Sequence, residues 1–120
     1  MSQDVSMASE PEVKISDKIS ILPGASADGS AVSFEIKQED HTLGNALRYM
    51  IMKNPDVEFC GYSIPHPSEA HLHLRIQTYG ETTAIEALRK GLTDLTAVCD
   101  HVEDVFRQKV ADGNYADTAP

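Results

Sequence analysis

The chain has no tryptophan and only two cysteines among its 120 residues. Cys60 and Cys99 show no paired spacing, so the sequence offers neither the Cys-x-x-Cys geometry of a structural zinc site nor the framework of a small disulfide-bonded domain. Apolar runs are short: none reaches the roughly 18 residues of a membrane helix, and neither end carries the apolar stretch of a secretory leader. An intracellular protein with reduced thiols and no membrane contact is expected. Basic residues are also scarce, 10 against 19 acidic ones, for a formal charge of −9. Such a chain repels a nucleic-acid backbone, which disfavours a DNA-binding factor and leaves any DNA nearby to be held by something else. No phosphate-cradling glycine motif occurs, and Ser63 and Ser68 lack the nucleophile-elbow pattern around them.

What is present fits one small domain. Residues 1–16 mix Ser, Asp, Glu and Pro without a period and are expected to form a disordered tail, as are residues 111–120 at the other end, where Gly113 and Asn114 suit a helix stop. Between them, residues 17–110 alternate two kinds of pattern. "KISILPG" is a short apolar run closed by a turn, and "AVSFEIK" alternates strictly, with Val32, Phe34 and Ile36 on one face. Asp40 or Thr42 can cap a helix whose apolar residues Leu43, Ala46, Leu47, Met50 and Ile51 recur at three and four, and Asn54-Pro55 ends it. "VEFCGYSI" predicts a strand with Val57 and Phe59 on one side and Glu58 and Cys60 on the other, and "AHLHLRIQTYG" one with Leu72, Leu74 and Ile76 inward. From Thr82 to about Val110 the period turns helical for some eight turns. The predicted fold is α+β: a two-layer, four-stranded antiparallel sheet with two helices on one face, in the order β-β-α-β-β-α.

Two features of the helices exceed what such a core needs. In the long helix, Ile85, Leu88, Leu92, Leu95, Cys99, Val102 and Phe106 step by three and four without a miss, flanked by Ala84, Val98 and Val105. This stripe can cover a sheet and leave apolar surface over. Gly91 in its interior costs about 1 kcal/mol against alanine, which a close approach of another backbone would offset. In the shorter helix, Gly44, Asn45 and Arg48 share one side, where the arginine fork and the amide suit carboxylates or carbonyls of another chain. His66, His71, His73 and Cys60 invite a metal reading, without the tight spacing that makes one specific.

The words "DHTLGNALRYMIMKNPDVEFCGYSIPHPSEAHLHLRIQT" resemble the small alpha-like subunits of eukaryotic RNA polymerases, a family that extends to the archaeal subunit L and the dimerisation domain of the bacterial alpha subunit. "LGNALR" is similar to the alpha motif, and "NPDVEFCGYSIPHPSE" to the wording of the form shared by polymerases I and III. The resemblance spans about residues 17–110. It implies an obligate heterodimer with the larger alpha-like subunit common to both enzymes, and a platform on which the large catalytic subunits assemble. It also implies a nuclear location, including the nucleolus, with no catalytic residue, no cofactor, no metal and no direct nucleic-acid contact in this subunit. Leu43, Gly44, Asn45, Leu47 and Arg48 are carried over in the motif. Ile51 and the seam of Leu88, Gly91, Leu92, Leu95, Cys99, Val102 and Phe106 are assigned to the interface by periodicity. The histidines at 71 and 73 depart from the family wording. A stand-alone homodimeric ligand- or metal-binding regulatory module, with His66, His71 and His73 as its site, is the alternative.

Overall fold

A computed structural model describes residues 13–113 and 115–116. The elements are β1 (Val13–Lys14), β2 (Ile19–Ile21), β3 (Ala31–Lys37), α1 (His41–Met52), β4 (Val57–Ser63), β5 (His71–Thr78) and α2 (Ala84–Asp112). The strands form one antiparallel sheet in the order β1-β2-β3-β5-β4. Because β5 pairs antiparallel with both neighbours, β3 and β4 run parallel on either side of it, and α1 makes the crossover between them.

The sheet therefore has five strands where four are predicted. The extra one, β1, lies inside the expected N-terminal tail: Val13 stands opposite Ile21 and Lys14 opposite Ser20. A serine closes this hairpin, since Ser16 Oγ accepts from the backbone N–H of Lys18 and of Ile19 at 3.2 and 3.0 Å. Two residues are too few to show a period, so the strand was invisible to alternation. Residues 1–12 of that expected tail, and Asn114 with 117–120 of the other, lie outside the described residues.

Strict alternation builds the core. Val32, Phe34 and Ile36 of β3 and Leu72, Leu74 and Ile76 of β5 are buried and meet Leu47 and Ile51 of α1 and Ala84, Ala87 and Leu88 of α2 in one cluster. Both helices thus cover the same face of the sheet, and the other face keeps the polar residues of each strand.

β4 departs from the expected alternation. Its register against β5 shifts between Val57 and Phe59, a bulge that places Glu58 out of step. Beyond it Cys60, not Phe59, turns inward, and Phe59 is 47% exposed on the outer face. Burial pushes the Cys60 thiol up to about 11, opposed by the nearby charge of Arg48.

Side chains fix both helix starts. Asp40 accepts from the N–H of Thr42 at 3.0 Å and caps α1, while Thr83 Oγ1 accepts from the N–H of Glu86 at 3.2 Å and caps α2. Thr78 Oγ1 donates to the carbonyl of Thr82 at 2.6 Å, tying the end of β5 to the approach of α2. Gly113, at φ +65°, takes the left-handed position that ends α2 two residues beyond the expected stop.

Candidate interaction surface

α1 and α2 pack on each other at a contact that only glycine permits. A Cβ on Gly91 would lie 2.5 Å from Ile51 Cγ1 and 3.6 Å from Leu47 Cδ1, so α1 seats its apolar side chains directly on the α2 backbone. The close approach at Gly91 is therefore made inside the chain, and by side chains of α1 where the sequence reading expects another backbone. Gly44 plays a similar part at the start of α1, where a Cβ would meet the Tyr62 ring at 2.7 Å. Tyr62 Oη lies 2.8 Å from His41 Nδ1, within hydrogen-bond distance, so the ring spans from β4 to the first residue of α1.

These packings divide the residues assigned to an interface from sequence. Gly44, Leu47, Ile51, Leu88 and Gly91 are buried in the chain's own core. Periodicity put them with the seam because a stripe shows which residues share a face, and says nothing of what covers it. Leu43, Leu92 and Leu95 are half-buried against the core, with one side still open. Asn45, Arg48, Cys99, Val102 and Phe106 are exposed.

The last group exposes the main feature of the molecule. From Thr96 to Asp112 every residue of α2 is exposed, yet the apolar spacing continues. Val98, Val102, Val105, Phe106 and Val110 line one side, with Val102 at 60% and Phe106 at 67% exposure. The stretch is about 25 Å long at 1.5 Å per residue. Its polar side is organised for water: Arg107 pairs with Glu103 at 2.7 Å four residues away, as Lys90 does with Asp94 nearer the core. A contiguous apolar stripe on a projecting helix marks a protein contact site.

α1 offers a second, smaller outward side. Asn45 and Arg48 stand there with Tyr49 and Met52, at 61% and 42% exposure, and the Lys53 ammonium sits 4.5 Å from the Tyr49 ring centre. Tyr49 and Met52 are missing from the sequence assignment. The signal existed, since 45, 48, 49 and 52 follow the three-and-four rule on the side opposite Leu47.

The histidines are spread over a turn and a strand, and two of them share one carboxylate. Glu35 Oε2 lies 3.4 Å from His71 Nδ1 and 3.2 Å from His73 Nε2, which accounts for both rings on the outer sheet face. His66 is exposed in its proline-bracketed turn, and among the described residues no group of three His, Cys, Asp or Glu side chains is arranged to hold a metal ion. Nothing among the described residues supports the metal-module alternative.

Comparison with known proteins gives concordant results. The RNA polymerase Rpb3/Rpb11 dimerisation domain matches residues 31–105, from β3 through most of α2. The chain is 67% identical over 95 residues to the DNA-directed RNA polymerases I and III subunit RPAC2 of Saccharomyces cerevisiae, covering 78% of this chain and 67% of that protein. It is 63% identical over 94 residues to the subunit of the same name from Schizosaccharomyces pombe, covering 78% and 75%. Among solved structures, that of DNA-directed RNA polymerase subunit L from Thermoplasma acidophilum superposes with a TM-score of 0.66 at 15% identity, over 82% of this chain and 96% of that one. That likeness speaks to the fold alone.

Proposed function

We infer that this chain, which belongs to the RNA polymerase Rpb3/Rpb11 dimerisation-domain family, serves as a non-catalytic subunit of DNA-directed RNA polymerases I and III. It heterodimerises within the polymerase, and its place of work is the nucleus. The partner we propose is the larger alpha-like subunit common to both enzymes. Together the two form the platform on which the large catalytic subunits assemble for rRNA, 5S rRNA and tRNA synthesis, polymerase I doing so in the nucleolus. With a charge of −9 the chain leaves nucleic acid to those larger subunits.

The observation that carries this reading is the projecting half of α2. Each valine or phenylalanine along it stands to contribute about 1.5–3 kcal/mol if a partner buries it fully. Helix packing at eight to ten Å would place a partner helix along Leu92, Leu95, Cys99, Val102 and Phe106. The outward side of α1, with Asn45 and Arg48 on its crest, is open to a neighbouring subunit, and the arginine fork suits a carboxylate or backbone carbonyls there.

The test is co-purification from cells through a tag on this chain. Wild type brings down the subunits of both polymerases, and the double variant Val102→Asp with Phe106→Asp loses the alpha-like partner and everything assembled on it. Recovery of the partner at normal yield with that variant would refute the assignment of this helix.

A further inference from the structure

The sheet face turned away from the helices holds a groove of about 380 Å³ lined in part by Ser33, Phe59, Gly61, His73 and Arg75. Arg75 is half-buried there, and two of its five donors are fixed: Nη1 donates to Ser33 Oγ at 3.2 Å and Nε to Gln77 Oε1 at 3.3 Å. Both acceptors are neutral. Among the described residues no carboxylate comes within ion-pair distance of Arg75, and Glu35 on the neighbouring strand is turned to His71 and His73. In a chain with nearly twice as many acidic as basic residues, the Arg75 guanidinium thus meets no carboxylate among the described residues.

Beside it lies an aromatic platform. Gly61 stands opposite Arg75 in the β4–β5 ladder and Phe59 opposite Gln77. A Cβ on Gly61 would come within 2.8 Å of Phe59 Cζ, so the glycine lets the exposed ring lie down across the strand next to the cation.

We propose that this groove is a second docking surface, one that takes an acidic segment of another polymerase subunit, with its carboxylate on Arg75 and an adjacent apolar side chain on Phe59. The pairing follows from charge and shape: the guanidinium fork matches a carboxylate, and the ring supplies the desolvated flank that strengthens such a pair. A nucleic-acid backbone would instead have to approach a chain of net charge −9 for one guanidinium. The proposal rests on the polymerase-subunit reading and adds a contact on the face opposite the helices.

The test places photoreactive p-benzoylphenylalanine at position 59, and in a separate chain at position 102, in the tagged full-length protein expressed in cells. Purified complexes are irradiated and the joined peptides identified by mass spectrometry. Position 59 is expected to capture an Asp- or Glu-bearing segment of a polymerase subunit, and Arg75→Gln to cut that capture about tenfold while leaving capture at 102 unchanged. Capture at 102 with nothing joined at 59, or with nucleic acid or a segment lacking a carboxylate joined there, overturns the proposal and leaves the polymerase-subunit reading intact. So does capture at 59 that ignores Arg75→Gln. Absence of polymerase subunits from both chains overturns the two together.

Discussion

Up to Gly91, helix α2 is held against α1 and the sheet, with Ala84, Ala87, Leu88 and Gly91 buried; from Thr96 onward the same helix meets solvent on every side. Apolar residues recur at the same spacing in both halves. The difference lies in what stands opposite: α1 and β5 cover the first half, and the described part of the chain has nothing left to cover the second. An amphipathic period therefore reports that a helix has a face to bury, and the length of the rest of the fold decides how much of that face the chain can bury itself.

Substitutions can break this contrast in order of size. The largest effect falls on association, where Val102→Asp with Phe106→Asp places two charges in a contact built for apolar side chains. Several kcal/mol of binding is expected to be lost, while circular dichroism and the melting temperature of the isolated chain stay as in wild type, because neither residue touches the core. Leu88→Ala reverses the pattern. It empties a fully packed site and is expected to cost about 2–5 kcal/mol of folding stability in a denaturant titration, with the exposed stripe untouched.

Gly91→Ala comes next, at about 1–3 kcal/mol of overpacking against Ile51; combined with Ile51→Ala, which removes the Cγ1 it would strike, it should cost less than the sum of the two single changes. A stabilised protein would mean that Gly91 is not the closest point between the helices. The smallest effect sharpens the contrast without changing stability. Cys99 lies exposed in the free half, whereas Cys60 is buried with its thiol pushed up to about 11. At neutral pH an alkylating reagent should modify Cys99 of the lone chain and spare Cys60. Addition of the alpha-like partner should then protect Cys99, and labelling at an unchanged rate would place that residue outside the interface.

Much of the architecture was legible because burial and period coincide in it. β3 and β5 each bury every second residue, so alternation named their inward side chains correctly, and the helix stops at Asn54-Pro55 and Gly113 follow from backbone chemistry. β4 was misread because a bulge at Glu58 inserts a residue and exchanges the faces beyond it, which no count of apolar and polar residues reveals. The interface was harder still. Leu47 and Phe106 are both large apolar residues on an amphipathic helix, yet one is fully buried and the other two-thirds exposed. Only tertiary contacts separate them. Arg48 and Asn45 mark the outward side of α1, while Tyr49 and Met52 stand exposed on it although their apolar character alone points inward.

The strand order β1-β2-β3-β5-β4 sets a schedule for the growing chain. β3 leaves the ribosome with Val32, Phe34 and Ile36 on one face, and its main partner does not arrive until residues 71–78, after α1 and β4 have been made. The sheet cannot close around its centre before then, so its least local pairing is also the one that joins its two halves. The buried half of α2 follows within a few residues and seals the layer through Leu88 and Gly91. The exposed half emerges after all the elements beneath it, when that domain is already able to fold. Synthesis from one end thus postpones the exposed stripe to the moment at which a partner can use it, which shortens the time the nascent chain spends open to aggregation.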